Sequence, residues 1–171
     1  MKAIKGAYLM AFVKVADEIK AIAMAKSHTL KVSTDTKETT SKDSGGKFQE
    51  VEAGITSWEA TSENAYTLQG DENPGLTYDD LLDIQLAQTP VTLVLGMASQ
   101  HQGATPVDNV PSAGWAPGTG CRTGNAIVTS LDLNMPNDDK ASFTVTFTGT
   151  GPLTKYKPLS LIHISEPTRL R

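Results

Sequence analysis

The chain has 171 residues, 39% hydrophobic and 20% charged, with a formal net charge of −4. That length and balance fit one folded domain with a real hydrophobic core and exclude a disordered chain. The acidic surplus excludes a surface built to grip nucleic-acid phosphates, and the single cysteine, Cys121, excludes any disulfide within the chain.

In chain order, Lys2 and Lys5 precede "GAYLMAFV", and Ala21, Ala23 and Ala25 imitate a leader cleavage site. Lys14, Asp17 and Glu18 stand between the two, which argues against a secretory leader. Alternation of Tyr8, Met10 and Phe12 with Leu9, Ala11 and Val13 predicts a strand covered on both faces. No stretch reaches the length of a membrane-spanning helix. "SHTLKVST" (27–34) and "GITSWEAT" (54–61) predict two further strands, separated by a polar loop over 33–50.

One helix stands out, "TYDDLLDIQLAQTP" (77–90). Thr77 caps it, while Asp79 and Asp80 suit the positive end of the helix dipole. Tyr78, Leu81, Leu82 and Leu86 form its packing face, Asp79, Asp80 and Asp83 face water, Ile84 falls off the stripe, and Pro90 ends it. "PVTLVLG" (90–96), apolar on both faces, predicts a central strand. A second long polar stretch covers 98–124, and both such stretches are candidates for contacts outside the subunit.

"NAIVTSLDLNMP" places Ile127, Leu131 and Leu133 on one face of a strand. "ASFTVTFTGTG" sets Ala141, Phe143, Val145 and Phe147 against Ser142, Thr144, Thr146 and Thr148, a half-buried strand with a hydroxyl-covered outer face. "NMPNDDK" between the two supplies a turn, so they form a hairpin. The elements add up to a mainly β fold, an antiparallel β-sandwich or partial barrel with one flanking helix and a long extended loop.

The terminal "LSLIHISEPTRLR" (159–171) departs from the rest, holding two of the three arginines. From Leu159 to Arg169 it resembles the in-frame translation of a transposase-based sequencing adapter. It is therefore expected to be an artefact without structure of its own, leaving a domain over 1–158. Without Glu166, Arg169 and Arg171 the chain carries 13 basic and 18 acidic residues, a net −5.

Catalytic chemistry finds no foothold. "TTSKDSGGKFQE" (39–50) contains Gly-Gly-Lys, but Phe48 follows Lys47 where a phosphate loop needs Ser or Thr, and Ser41 occupies the place of its first glycine. His28, His101 and Cys121 are too scattered for a metal motif. Asp138 and Asp139 read as turn formers, the helix aspartates lack calcium-loop spacing, and no nucleophile elbow exists. Trp58, within a strand, reads as core, and Trp115 is a candidate sugar platform. The sequence predicts no enzyme, no metal and no cofactor.

Taken together, "TSKDSGGKFQEVEAGITSWEATSENAY", "TYDDLLDIQLAQTPVTLVLG" and "GNAIVTSLDLNMPNDDKASFTVTFTGTGPL" resemble the major tail tube proteins of long, non-contractile-tailed phages, in the right order across residues 6–155. Ser41-Lys42-Asp43-Ser44-Gly45-Gly46, Ser57-Trp58 and the run from Ala126 to Gly151 carry the resemblance most specifically; the 98–124 insert departs from it. The resemblance implies six copies in a ring, rings stacked into a tube that conducts the genome, and inner sheets joined into one β-barrel. It also implies a loop reaching a neighbour, here Thr40, Ser41, Lys42, Asp43, Ser44, Gly45, Gly46 and Lys47. A tape measure protein and a tail terminator are the expected partners, DNA a transient cargo, and no membrane is engaged. The location is the virion tail after synthesis in the host cytoplasm. Six chains at −5 sum to about −30 around a ring, which repels phosphate. Ser142, Thr144, Thr146 and Thr148 are the candidate lumen face. The alternatives are the tube of a contractile tail or secretion apparatus, and a monomeric β-sandwich that binds carbohydrate or protein.

Overall fold

The structure is a computed structural model describing residues 4–41, 43, 48–68, 74–103, 107 and 109–158. The 159–171 segment lies outside the described residues. Seven strands form one sheet: β1 (Leu9–Val15), β2 (Glu18–Ala21), β3 (Ala25–Glu38), β4 (Val51–Ala65), β5 (Val91–Met97), β6 (Arg122–Asn134) and β7 (Ser142–Lys155). Their order is β2-β1-β5-β6-β7-β4-β3, every pair is antiparallel, and α1 (Tyr78–Leu86) intervenes between β4 and β5.

The two outermost strands, β2 and β3, are consecutive in the chain, joined only through residues 22–24. Four residue steps from Ala21 to Ala25 span at most about 14 Å. Seven strands laid flat would hold the edges about 29 Å apart. The sheet therefore coils until its edges approach at this corner. Of the two architectures expected from sequence, one sheet curled into a partial barrel is what forms.

The core fills the inside of the curl: Val13, Trp58, Leu81, Leu93, Phe143, Val145 and Phe147 belong to one buried cluster. Phe12, Val94, Ala98 and Cys121 form a second cluster on the opposite face of β1 and β5. Burial on both faces explains why these two strands read as nearly continuous apolar runs. Residues 101–102 and 115–119 are tied to each other and to Tyr8. Gln102 donates Nε2–H to Thr119 O (2.7 Å) and accepts the Thr119 N–H (3.0 Å), while His101 stacks between Tyr8 and Trp115 with centroids 4.5 Å apart on either side.

Asp80 Oδ2 accepts the N–H (2.9 Å) and hydroxyl (2.8 Å) of Thr77, fixing the start of α1. The helix packs differently from its expected stripe. Leu81 is fully buried, Tyr78 meets Phe143 edge-on at 5.6 Å, and Ile84 packs on the core. Leu82 is only half-buried and Leu86 is 73% exposed. With Leu81 at the centre of the contact, Tyr78 and Ile84 lie about 60° to either side, whereas Leu82 and Leu86 lie about 100° and 140° away.

Trp58 sits inside the curl and donates its indole N–H to Gly151 O at 2.9 Å. Gly124 on β6 and Gly149 on β7 lie against its ring, where any Cβ would overlap the indole. Glycine at these strand positions makes room for a bulky ring, a recognised reason for glycine within a strand.

Candidate functional site

Two features leave the coiled sheet incomplete. The first is an arm. β4 pairs with β7 only from Glu59 to Ala65, while its pairing with β3 continues out to Val51. Val51–Ser57 and the facing part of β3 thus leave the sheet as a two-stranded ribbon about 23 Å long. The polar stretch 33–50, expected as loop, is strand as far as Glu38, and β4 begins at Val51. On the β3 half, Ser33, Thr34, Asp35, Thr36, Lys37 and Glu38 occupy both faces because neither faces a core, so no apolar period marks it.

Pairing persists past the strand ends. The Thr39 N–H donates to Glu50 O at 2.9 Å, and Thr40 Oγ1 accepts the Glu50 N–H at 3.1 Å. Of the eight expected contact residues, Thr40, Ser41 and Asp43 are exposed at the tip, with the Asp43 N–H donating to Ser41 Oγ at 3.3 Å. Lys42, Ser44, Gly45, Gly46 and Lys47 lie outside the described residues. Sequence reasoning passed over the apolar side chains along the arm, of which Phe48 is 84% and Ile55 76% exposed, with Val51 and Val32 also exposed.

The second feature is a polar sheet face. Ser142, Thr144, Thr146 and Thr148 alternate on β7 with the buried Phe143, Val145 and Phe147. Phe143 contacts Tyr78 of α1, so the hydroxyls lie on the side of the sheet away from the helix. Register sets Thr148 between Glu59 and Ile127, Thr146 between Thr61 and Ser130, and Thr144 between Glu63 and Asp132. β3 adds Lys31 beside Glu59 and Thr29 beside Thr61. Ser130 donates to Asp132 Oδ2 at 2.7 Å, and the Thr129 and Thr148 hydroxyls share a bond at 3.0 Å. The carboxylates of Glu59, Glu63 and Asp132 were not singled out from sequence, though "SWEATSENA" carries the signal by alternating Ser57, Glu59, Thr61 and Glu63 with inward residues.

The titratable groups offer no assembled chemistry. Among the described residues no group of three or more His, Cys, Asp or Glu side chains is placed to hold a metal, and no helix is long and apolar enough to cross a membrane. Burial pushes the Cys121 thiol up and holds the His28 imidazole down, and His28 Nδ1 is buried without a hydrogen-bond partner. Asp139 accepts the Lys140 N–H at 2.7 Å, a turn contact.

An open curled sheet with an unsupported arm and one hydroxyl-and-carboxylate face describes an assembly subunit. Residues 5–155 match the phage tail tube protein family, and the chain belongs to that family. It is a structural tube subunit of the virion tail. No curated protein matches it. Among solved structures, its fold is similar to the tail of an empty gene transfer agent particle refined with C6 symmetry: TM-score 0.68, 18% identity, 91% of this chain and 100% of that one covered. The virion of a native gene transfer agent particle gives 0.65 and 16%, covering 91% and 100%. The SPP1 tail tube gives 0.62 and 9%, covering 90% and 80%.

Proposed function

We propose that six copies of this chain close into a ring, and that stacked rings form the conduit through which the genome leaves the virion. The observation that carries this reading is the arm. A lone two-stranded ribbon is marginal in water, and this one exposes Phe48, Val51 and Ile55. It gains stability by lying on a neighbour, with Thr40, Ser41, Lys42, Asp43, Ser44, Gly45, Gly46 and Lys47 as its contact tip. Among the described residues β3 has a partner strand on one side only along its 14 residues, so its outer backbone edge is available to an adjacent subunit.

In this reading Ser142, Thr144, Thr146 and Thr148 face the lumen together with Glu59, Glu63 and Asp132. Hydroxyls offer exchangeable contacts, and the carboxylates keep phosphates from settling. The chain performs no catalysis. A tape measure protein and a tail terminator complete the tail, DNA passes as transient cargo, and the subunit is made in the host cytoplasm.

Size-exclusion chromatography and negative-stain microscopy of the purified chain test this. Six-fold rings and tubes are expected; a monomer at every concentration would return the chain to the class of solitary binding modules. Deleting residues 40–47 should abolish tubes while leaving the circular dichroism spectrum unchanged, and normal tubes from that variant would overturn the role given to the tip.

A further inference from the structure

The ends of β3 carry complementary apolar features. At the ribbon end stands Phe48, the one exposed Phe, Trp or Tyr among the described residues. At the other end, where the chain turns from β2 into β3, a groove of about 570 Å³ is lined by Met10, Ile19, Met24, Pro74, Val110 and Trp115. That volume lies in the range of sites that enclose small ligands.

The groove is built rather than incidental. The Ala23 N–H donates to Leu76 O (2.8 Å) and the Leu76 N–H to Ala21 O (2.9 Å), clamping the segment after β2 beside residues 74–76. A Cβ at Gly75 would press on Ala21 O at 2.9 Å. The charges lining the groove, Glu18 and Lys20, pair with each other at 2.9 Å, so an apolar guest meets no unpaired charge from them. Met24 and Val110 remain more than half exposed, and thioethers beside a tryptophan favour an aromatic ring.

β3 puts about 45 Å between the groove and the ribbon end, so a chain's own Phe48 cannot reach its own groove. We propose that the groove of one copy receives Phe48 and the adjoining ribbon end of a second copy. Knob and hole lie at opposite ends of the subunit, so the contact is head-to-tail and gives the assembly a polarity. This inference rests on the tube reading above and adds the landing site of the arm.

The test uses the full chain under conditions in which the wild type forms tubes. Gln49→Cys subunits, which keep Phe48, are mixed with Met24→Cys subunits and treated with a short bismaleimide; Gln49→Cys mixed with Leu86→Cys is the control, because Leu86 is exposed but does not line the groove. Cross-linked dimer should exceed the control about tenfold, and Phe48→Ser should raise the concentration needed for tubes about tenfold or more, as for an interface anchor, with the monomer's melting unchanged. Equal cross-linking in both mixtures, or tubes from Phe48→Ser at wild-type concentrations, would overturn the groove while leaving the tube function standing. A wild type that never assembles would overturn both.

Discussion

At the residue scale, the tightest constraint is the fit of Trp58 between Gly124 and Gly149. Gly149→Ala forces the ring or β7 to move, at about 1–3 kcal/mol for overpacking. In a domain of this size that lowers the melting temperature by about 2–4 °C per kcal/mol, read by circular dichroism. His28 supplies a pH dependence. Its folded pKa is held down by burial, so the unfolded chain takes up a proton near its ordinary value of about 6.5 while the folded chain resists it. Stability from this residue is therefore complete above about pH 6.5 and declines as pH falls below it. The melting temperature of wild type should fall more steeply than that of His28→Gln between about pH 7.5 and 5.5; parallel slopes would remove His28 as the cause.

At the element scale, α1 and the ribbon behave in opposite ways. Leu81→Ala empties a fully buried site and should cost about 2–5 kcal/mol in urea unfolding, whereas Leu86→Ala should stay within about 0.5 kcal/mol. Equal losses would mean that the helix packs through its 82/86 side after all. The ribbon is supported only by its own cross-strand bonds, while Glu59–Ala65 of the same strand lies between β3 and β7. In the monomer, amides of 51–57 should exchange with deuterium faster than those of 59–65, and assembly should close that gap. A ribbon as protected in the monomer as the sheet would show that it needs no neighbour.

At the scale of the whole molecule, three carboxylates from two strands gather on one sheet face. Glu59, Glu63 and Asp132 share the hydroxyl face, and Lys31 is the cation beside them in register. Replacing all three carboxylates by lysine reverses that balance without touching the core. Tubes of the triple variant should retain a short fluorescent DNA duplex at low salt and release it as salt rises, while wild-type tubes retain none. Equal, negligible retention by both would place this face away from the lumen.

Much of the architecture was legible in the sequence wherever a segment had one wet and one dry side. β7 announced itself because Phe143, Val145 and Phe147 meet the core while Ser142, Thr144, Thr146 and Thr148 do not. β1 and β5 read as central because both of their faces are covered, and Thr77 with Asp80 marked the start of α1 through a purely local contact. The β3 half of the ribbon past Thr34 stayed hidden, since its polar residues face no core inside the subunit and carry no hydrophobic period. Tertiary structure alone decided which row of α1 meets the sheet, which glycines admit Trp58, and that β2 and β3 approach as the sheet curls. It alone showed the carboxylates of β4 and β6 flanking the β7 hydroxyls. Periodicity records how each segment divides its faces between core and solvent; which segments share a face depends on pairing between strands far apart in the chain, set by packing of the whole domain.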